Sequence, residues 1–273
     1  MLLFAMIAGT LPARAVEPPD FVPSRAIALG DNILTASGTD AIFLNPAGLG
    51  ATNGYAVQLD YTHSTGAGGG DAVVISLADS LSNPSFPTGL AYRYLSVGSQ
   101  GKDAKGSVKD FALAYPVSNN VVIGTHVAYL SYTEGGRDFN QFTGDLGTLL
   151  RFGPVCAAVV GTNLLLVDSP DLPRGLGTGL SYGDGQSYLL AGDFKWEWPG
   201  ETMVHSWSLA GEYLLGGLMP VRLAYANDGR RQTSFVSGGL GFVTHVIGAN
   251  VSYRRDLTTN EGLWSFGLVV YNN

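Results

Sequence analysis

Along most of this chain apolar and polar residues take turns. Tyr55, Val57, Leu59 and Tyr61 alternate with Ala56, Gln58 and Asp60. Phe111, Leu113 and Tyr115 alternate with Ala112 and Ala114. Trp207, Leu209 and Tyr213 fall opposite Ser208, Ala210 and Glu212, and Val221, Leu223 and Tyr225 opposite Arg222, Ala224 and Ala226. Trp264, Phe266, Leu268 and Val270 fall opposite Ser265 and Gly267. A period of two marks a β-strand with one apolar and one polar face. The alternation predicts about fourteen strands, most of them about 9 to 13 residues long, near the length that crosses a bilayer. They are expected at 55–63, 71–79, 88–97, 107–116, 120–132, 139–153, 155–166, 175–183, 187–198, 203–215, 220–226, 233–244, 246–254 and 262–271.

The polar face separates two architectures. In a soluble β-sandwich, Phe, Leu and Tyr would form the shared core and the other face would be densely charged. Here the second face is built of Gly, Ala and Ser with scattered charges: Asp60, Arg93, Asp145, Arg151, Asp193, Lys195, Glu212, Arg222 and Arg254. A small, mixed face suits a barrel interior, with the apolar face outward in lipid. The expected connections agree. Those after odd strands are mostly long (64–70, 98–106, 133–138, 167–174, 227–232, 255–261), and those after even strands mostly tight (117–119, 154, 184–186, 216–219, 245). Barrels with both termini on the periplasmic side have short turns there and longer loops outside. Residues 199–202 are short and 80–87 long against this pattern. Pro84 and Pro87 in the latter imply a kink or an edge.

Composition narrows the choice. Charged residues are 14% of 273, against roughly 25% in ordinary soluble proteins. No internal apolar run reaches the roughly 18 to 20 residues of a membrane helix, which leaves the closed β-barrel as the spanning structure. The net charge of −7 argues against nucleic acid as a partner. Cys156 is the single cysteine, so neither a disulfide nor a cysteine metal cluster is expected.

The first 54 residues do not alternate. Residues 2–11 are apolar, too short to span a bilayer, and lead to Ala13-Arg14-Ala15, a cleavage-type signature. Residues 1–15 therefore read as a signal peptide lacking a basic n-region. Residues 16–54 then precede a barrel at 55–273. A barrel of about fourteen strands is wider than the eight-strand size that side chains alone fill. The segment is expected to fold into its periplasmic end as a plug. Ile42, Phe43 and Leu44 would anchor it, Asn45-Pro46 would turn it, and Gly48 would let it approach the wall, with Asp40 joining the charges of the lumen.

The stretch "ALGDNILTASGTDAIFLNPAGL", ending in Asn45-Pro46-Ala47-Gly48, resembles the N-terminal signature of FadL-type outer-membrane transporters and of the shorter PorV-like barrels. "GDLGTLLRFG", "LPRGLGTGLSY" and "LAGEYLLGG" are similar to the PorV-like group. The resemblance implies a fourteen-strand barrel with the N-terminal segment in the lumen, in the outer membrane of a Gram-negative cell. FadL-type likeness implies passive passage of small hydrophobic or amphipathic molecules, gated by Asp40, Phe43, Asn45, Pro46, Ala47 and Gly48. Passage would follow displacement of residues 39–50, or exit through the wall near 84–89. PorV-like likeness implies a barrel subunit that attaches protein partners of a secretion or surface-assembly machine. The partners expected are therefore outer-membrane lipid and either a hydrophobic ligand or an envelope machine.

Catalysis finds little support. The histidines are His63, His126, His205 and His245. His205 and Ser206 are adjacent on a strand and point to opposite faces, whereas a nucleophile and its base must meet within hydrogen-bond distance. No histidine pair has metal-ligand spacing on one strand face, and no cofactor is expected. Asp145, Arg151, Asp193, Glu212 and Arg222 read as charges that pair across the lumen and fix the plug, in preference to an ion-selectivity ring. Phe194, Trp196 and Trp198 read as part of an interfacial aromatic girdle.

Overall fold

The computed structural model describes residues 21–51, 54–66, 69–97, 104–134, 136–165, 172–184 and 186–272. The expected signal peptide lies outside them. Fourteen strands run in chain order: β1 (Tyr55–Thr65), β2 (Gly70–Asp79), β3 (Thr88–Val97), β4 (Ala104–Ser118), β5 (Val121–Glu134), β6 (Arg137–Phe152), β7 (Val155–Thr162), β8 (Arg174–Gly183), β9 (Tyr188–Trp198), β10 (Val204–Leu215), β11 (Met219–Asp228), β12 (Thr233–Val243), β13 (Ile247–Asp256) and β14 (Gly262–Asn272). Each pairs antiparallel with its sequence neighbours. β1 also pairs with β14, from Tyr55 opposite Asn272 to Thr65 opposite Gly262, which closes the barrel. Closure leaves no sheet edge, and in lipid every backbone donor and acceptor needs such a partner.

The faces are those of a membrane barrel. Leu180, Leu209, Leu223 and Leu268 point outward and are 64%, 59%, 65% and 63% exposed. Their neighbours along each strand point inward: Ser181, Ser208, Arg222, Ala224 and Val269 are buried. An exposed apolar belt of this extent has lipid as its natural solvent. Connections 80–87, 119–120, 153–154, 184–187, 216–218 and 244–246 share one end with both chain termini of the barrel. We call this the turn end and the opposite one the loop end.

Three expectations change. The connection expected at 133–138 is a tight hairpin, because β5 and β6 pair as far as Glu134 opposite Arg137. Outward residues there are Ser131, Thr133, Asp138 and Asn140, polar because the strands have already left the apolar belt. β7 stops at Thr162 instead of continuing to 166, because Asn163 takes a left-handed φ of 52° and leaves the sheet. The expected opening near 84–89 is not found at 88–89, where the wall is closed, and 84–87 belong to the connection before β3. β3 is paired with β2 and with β4 from Thr88 onward, and the Ala114 amide donates to the Pro87 carbonyl at 2.8 Å.

Candidate lumen site

The N-terminal segment is short-range structure throughout. Pro23, with φ −54°, precedes helix α1 (Ser24–Ala28), a place that suits its fixed φ and missing donor. Gly30 and Asp31 follow with φ of 65° and 54° and turn the chain. A Cβ on Gly30 would also crowd Ala224, at 3.1 Å. A 3-10 turn (Gly38–Asp40) leads into α2 (Ala41–Leu44). Asn45 is extended before Pro46, as the residue preceding proline prefers, and Pro46–Ala51 forms a second 3-10 stretch. The Asn45 side-chain oxygen accepts from the Ala47 amide at 3.2 Å, and its carbonyl accepts from the Gly48 amide at 2.9 Å.

This segment is bound to inward-facing side chains around the barrel. The Ser24 amide donates to Asp60 on β1 at 2.9 Å, and the Ile33 amide to Asp193 on β9 at 2.8 Å. The Asn32 amide nitrogen donates to Ser208 on β10 at 2.8 Å. Arg254 on β13 donates to Asp31 at 2.6 Å, and Arg151 on β6 to the Gly50 carbonyl at 2.6 Å. The wall is notched to receive it. Added Cβ atoms on Gly124 and Gly147 would overlap Pro46, Ala47 and Asn45, and one on Gly239 would meet Ala28. The segment also reaches further than its sequence suggests. Phe21 is fully buried with Leu95, Val97, Val108, Leu130, Tyr132 and Leu172, near the loop end, while Gly50 lies against Val122 and Pro116 near the turn end.

Asp40, which the sequence singles out, lies under Arg25. The guanidinium donates to Asp40 at 2.8 Å, to the Thr35 carbonyl at 2.8 Å, and to Glu212 through two nitrogens at 3.2 and 3.0 Å. Arg222 donates to the same Glu212 and, at 2.7 Å, to Asn250. Burial works against the Arg25 charge, but Glu212 and Asp40 outweigh it and raise its pKa. Burial lifts the Asp40 carboxyl above the usual aspartate range, against the pull of Arg25.

The five lumen charges named from sequence fall into separate groups. Glu212 and Arg222 share the Arg25 cluster. Asp193 holds Ile33 and accepts from the Ser208 hydroxyl at 2.6 Å. Arg151 caps Gly50. Asp145 faces the wall, contacting His126 at 2.8 Å and accepting from the Asn163 amide at 2.7 Å. Ile42 is fully buried, while Phe43 and Leu44 border open space. Gly48 approaches Ala36 and Ala41 of its own segment, and the close contacts with the wall are made by the wall's glycines. Sequence reading missed Arg25, Asn32 and Asp110, which joins the inward Arg93 to His126: Arg93 donates to Asp110 at 3.0 and 2.7 Å and His126 meets it at 3.1 Å. A signal for Asp110 was present, since Phe111, Leu113 and Tyr115 facing outward require Asp110 to face inward.

Toward the loop end a cavity of about 250 Å³ opens between the segment and the wall. Val22, Phe43 and Leu44 of the segment and Val108, Leu130 and Leu172 supply apolar lining on one side, next to Arg93, His126 and Asp145. Strands β9–β13 make the other side charged, with Lys195, Glu197, Asp228 and Arg254. Among the described residues no cluster of His, Cys, Asp and Glu is arranged to hold a metal ion.

No protein-family model matches the chain, and no curated protein does. Solved structures match its fold. One is the CymD monoaromatic hydrocarbon channel, with TM-score 0.68 and 14% identity over 94% of this chain and 98% of that one. Another is the Ralstonia pickettii toluene transporter TbuX, with TM-score 0.66 and 12% identity over 92% and 97%. A Pseudomonas aeruginosa FadL homologue gives TM-score 0.64 and 12% identity over 92% and 97%.

Proposed function

We propose that this chain is an outer-membrane channel through which small hydrophobic or amphipathic molecules pass passively, held shut by the N-terminal segment acting as a plug. The observation that carries the reading is the binding of residues 21–51 to inward-facing side chains on β1, β6, β9, β10 and β13, beneath a half-apolar cavity. The fold likeness to hydrocarbon channels and to a FadL homologue supports it. Displacement of residues 39–50 opens the path, since the wall is paired on both sides from Thr88 onward. Asp40 ties the gate to the Arg25 cluster, Asn45 and Pro46 seat it between Gly124 and Gly147, and Phe43 borders the cavity.

The test is conductance. Deleting residues 21–51 from the barrel should turn a closed channel into a conducting one in planar bilayers. A deleted barrel that is folded, by its heat-modified mobility on a gel, yet does not conduct overturns the plug. The competing reading, a barrel subunit that attaches a secretion or surface-assembly machine, draws on the tight connection between β5 and β6 at the loop end. A protein co-purifying at equal stoichiometry from native membranes would favour it over transport.

A further inference from the structure

Basic side chains inside the barrel have partners within the chain. Arg93 is tied to Asp110, Lys195 to the Asp31 carbonyl, Arg222 to Glu212 and Arg254 to Asp31. The described basic residues that face outward are Lys105 and Lys109 on β4, Arg174 at the start of β8 and Arg255 on β13. All four lie in the loop-end half. Three of them stand beside aromatic residues: Lys109 lies between Tyr92 and Tyr129, Arg174 is in register with Trp198, and Arg255 follows Tyr253, whose ring packs on Trp264 at 4.4 Å. At the turn end the outward aromatics Tyr115, Phe152, Tyr182 and Tyr213 have no basic neighbour of this kind among the described residues.

The β4 pair is the most developed of these positions. Strand register sorts the outward face of β3, β4 and β5 into rows. Leu90, Phe111 and Val127 form an apolar row. Tyr92, Lys109 and Tyr129 form the next, with the Lys109 ammonium 5.3 Å from the centre of the Tyr129 ring. Tyr94, Ser107 and Ser131 follow, and then Ser96, Lys105 and Thr133. The surface passes from hydrocarbon to hydroxyl and amine within a few rows. Among the described residues neither ammonium has a carboxylate partner. The nearby acids are engaged elsewhere, Asp138 by the Thr133 hydroxyl at 2.6 Å and Asp71 by Tyr61 at 2.5 Å and His63 at 2.9 Å.

We propose that the outward face of β3–β5 at the loop end binds phosphate-bearing lipid headgroups, with Lys105 and Lys109 each holding one phosphate. The two residues are four apart on one strand face, roughly 13 Å at about 3.3 Å per residue, too far for one phosphate to bridge. A lipid fits better than a free anion because the apolar row lies directly beneath the lysines and takes the acyl chains of the same molecule. Lysine binds phosphate as a point charge, and aromatic rings mark the depth at which headgroups lie. The proposal rests on the membrane placement given above and is independent of whether the lumen conducts.

The test uses the full barrel in detergent, titrated with bis-phosphorylated lipid A and, separately, with the same lipid after phosphate removal, and read by native mass spectrometry. The wild type should retain the phosphorylated form and release it as ionic strength rises. Lys105→Ala/Lys109→Ala should bind it about thirtyfold more weakly, the loss expected for two such contacts, and Lys105→Arg/Lys109→Arg should keep most of the binding. Both variants should fold, since among the described residues neither ammonium holds an ion pair or hydrogen bond within the chain and Lys109 makes only a surface contact with the Tyr129 ring, and an unchanged heat-modified mobility checks this. Equal retention of both lipids by the wild type, or full retention by the alanine variant, overturns the proposal. If the alanine variant does not fold, a salt-insensitive wild type overturns it on its own.

Discussion

Arg25 and Glu212 meet through two parallel hydrogen bonds although 187 residues separate them. The same guanidinium also holds Asp40, so one side chain joins α1 to β10 and to the start of the gate. Arg25→Met should therefore loosen the whole segment. Glu212 would keep Arg222, but Asp40 would be buried without its cation, and breaking a buried pair in this way costs about 3 kcal/mol or more. Amides of residues 24–36 should lose hydrogen-exchange protection while those of the barrel strands keep theirs. Unchanged protection in the segment would remove Arg25 from the role given to it.

The glycines that receive the gate allow a cleaner perturbation. Gly124→Ala adds a single methyl that overlaps Pro46 and Ala47, an overpacking expected to cost about 1 to 3 kcal/mol. Gly211→Ala is the control, because its methyl points outward and meets the flexible end of Leu190 at 3.3 Å and the Leu189 carbonyl at an ordinary 3.8 Å. Single-channel recordings should show frequent opening for the first variant and none for the second. Identical traces would show that Pro46 and Ala47 do not seat the gate.

Membrane placement predicts the result of adding charge to the belt. Leu209 lies in the middle of β10, outward and 59% exposed. Leu209→Arg should destabilise the barrel in phospholipid vesicles by about 2 to 4 kcal/mol, the cost of arginine near the bilayer midplane. Denaturant unfolding of the two proteins in the same vesicles measures the difference. A change near zero would mean that this face does not contact acyl chains.

The turn after β8 has its own pH dependence. Asp184 accepts from the amides of Gln186, Ser187 and Tyr188 at 2.9, 2.6 and 3.1 Å. These bonds, that of Gln186 first, lower its carboxyl to about 2. An acid whose pKa falls on folding stabilises the fold above its unfolded value, near 4, and loses that contribution as pH falls toward 2. A carboxyl NMR titration of Asp184 should give a midpoint well below that of an aspartate in a peptide, and an ordinary midpoint would remove the three bonds.

The barrel is written in the sequence because each strand repeats the same physical demand. A residue facing lipid must be apolar, and its neighbour faces a packed lumen. Where the demand stops, so does the reading. Thr133 and Asp138 lie above the belt and look like loop residues, although their backbones are paired. Leu164 and Leu165 continue the apolar run of β7, yet Asn163 has already turned the chain out of the sheet. The lumen was legible in part for a related reason. Inward charges could be assigned to a face by alternation, but their partners are far away in the chain. Nothing near Arg25 in sequence announces Glu212, and nothing near Asn45 announces that Gly147 leaves room for it.

The hydrogen bonds that hold the N-terminal segment to the wall span long stretches of chain, from 19 residues between Thr39 and Gln58 to 223 between Asp31 and Arg254. α1 has 5 residues, well below the dozen or so at which an isolated helix begins to persist in water. The part of this chain made first thus has no structure to keep until the strands made after it have assembled. Its place exists only once β1 has met β14, and it is settled last.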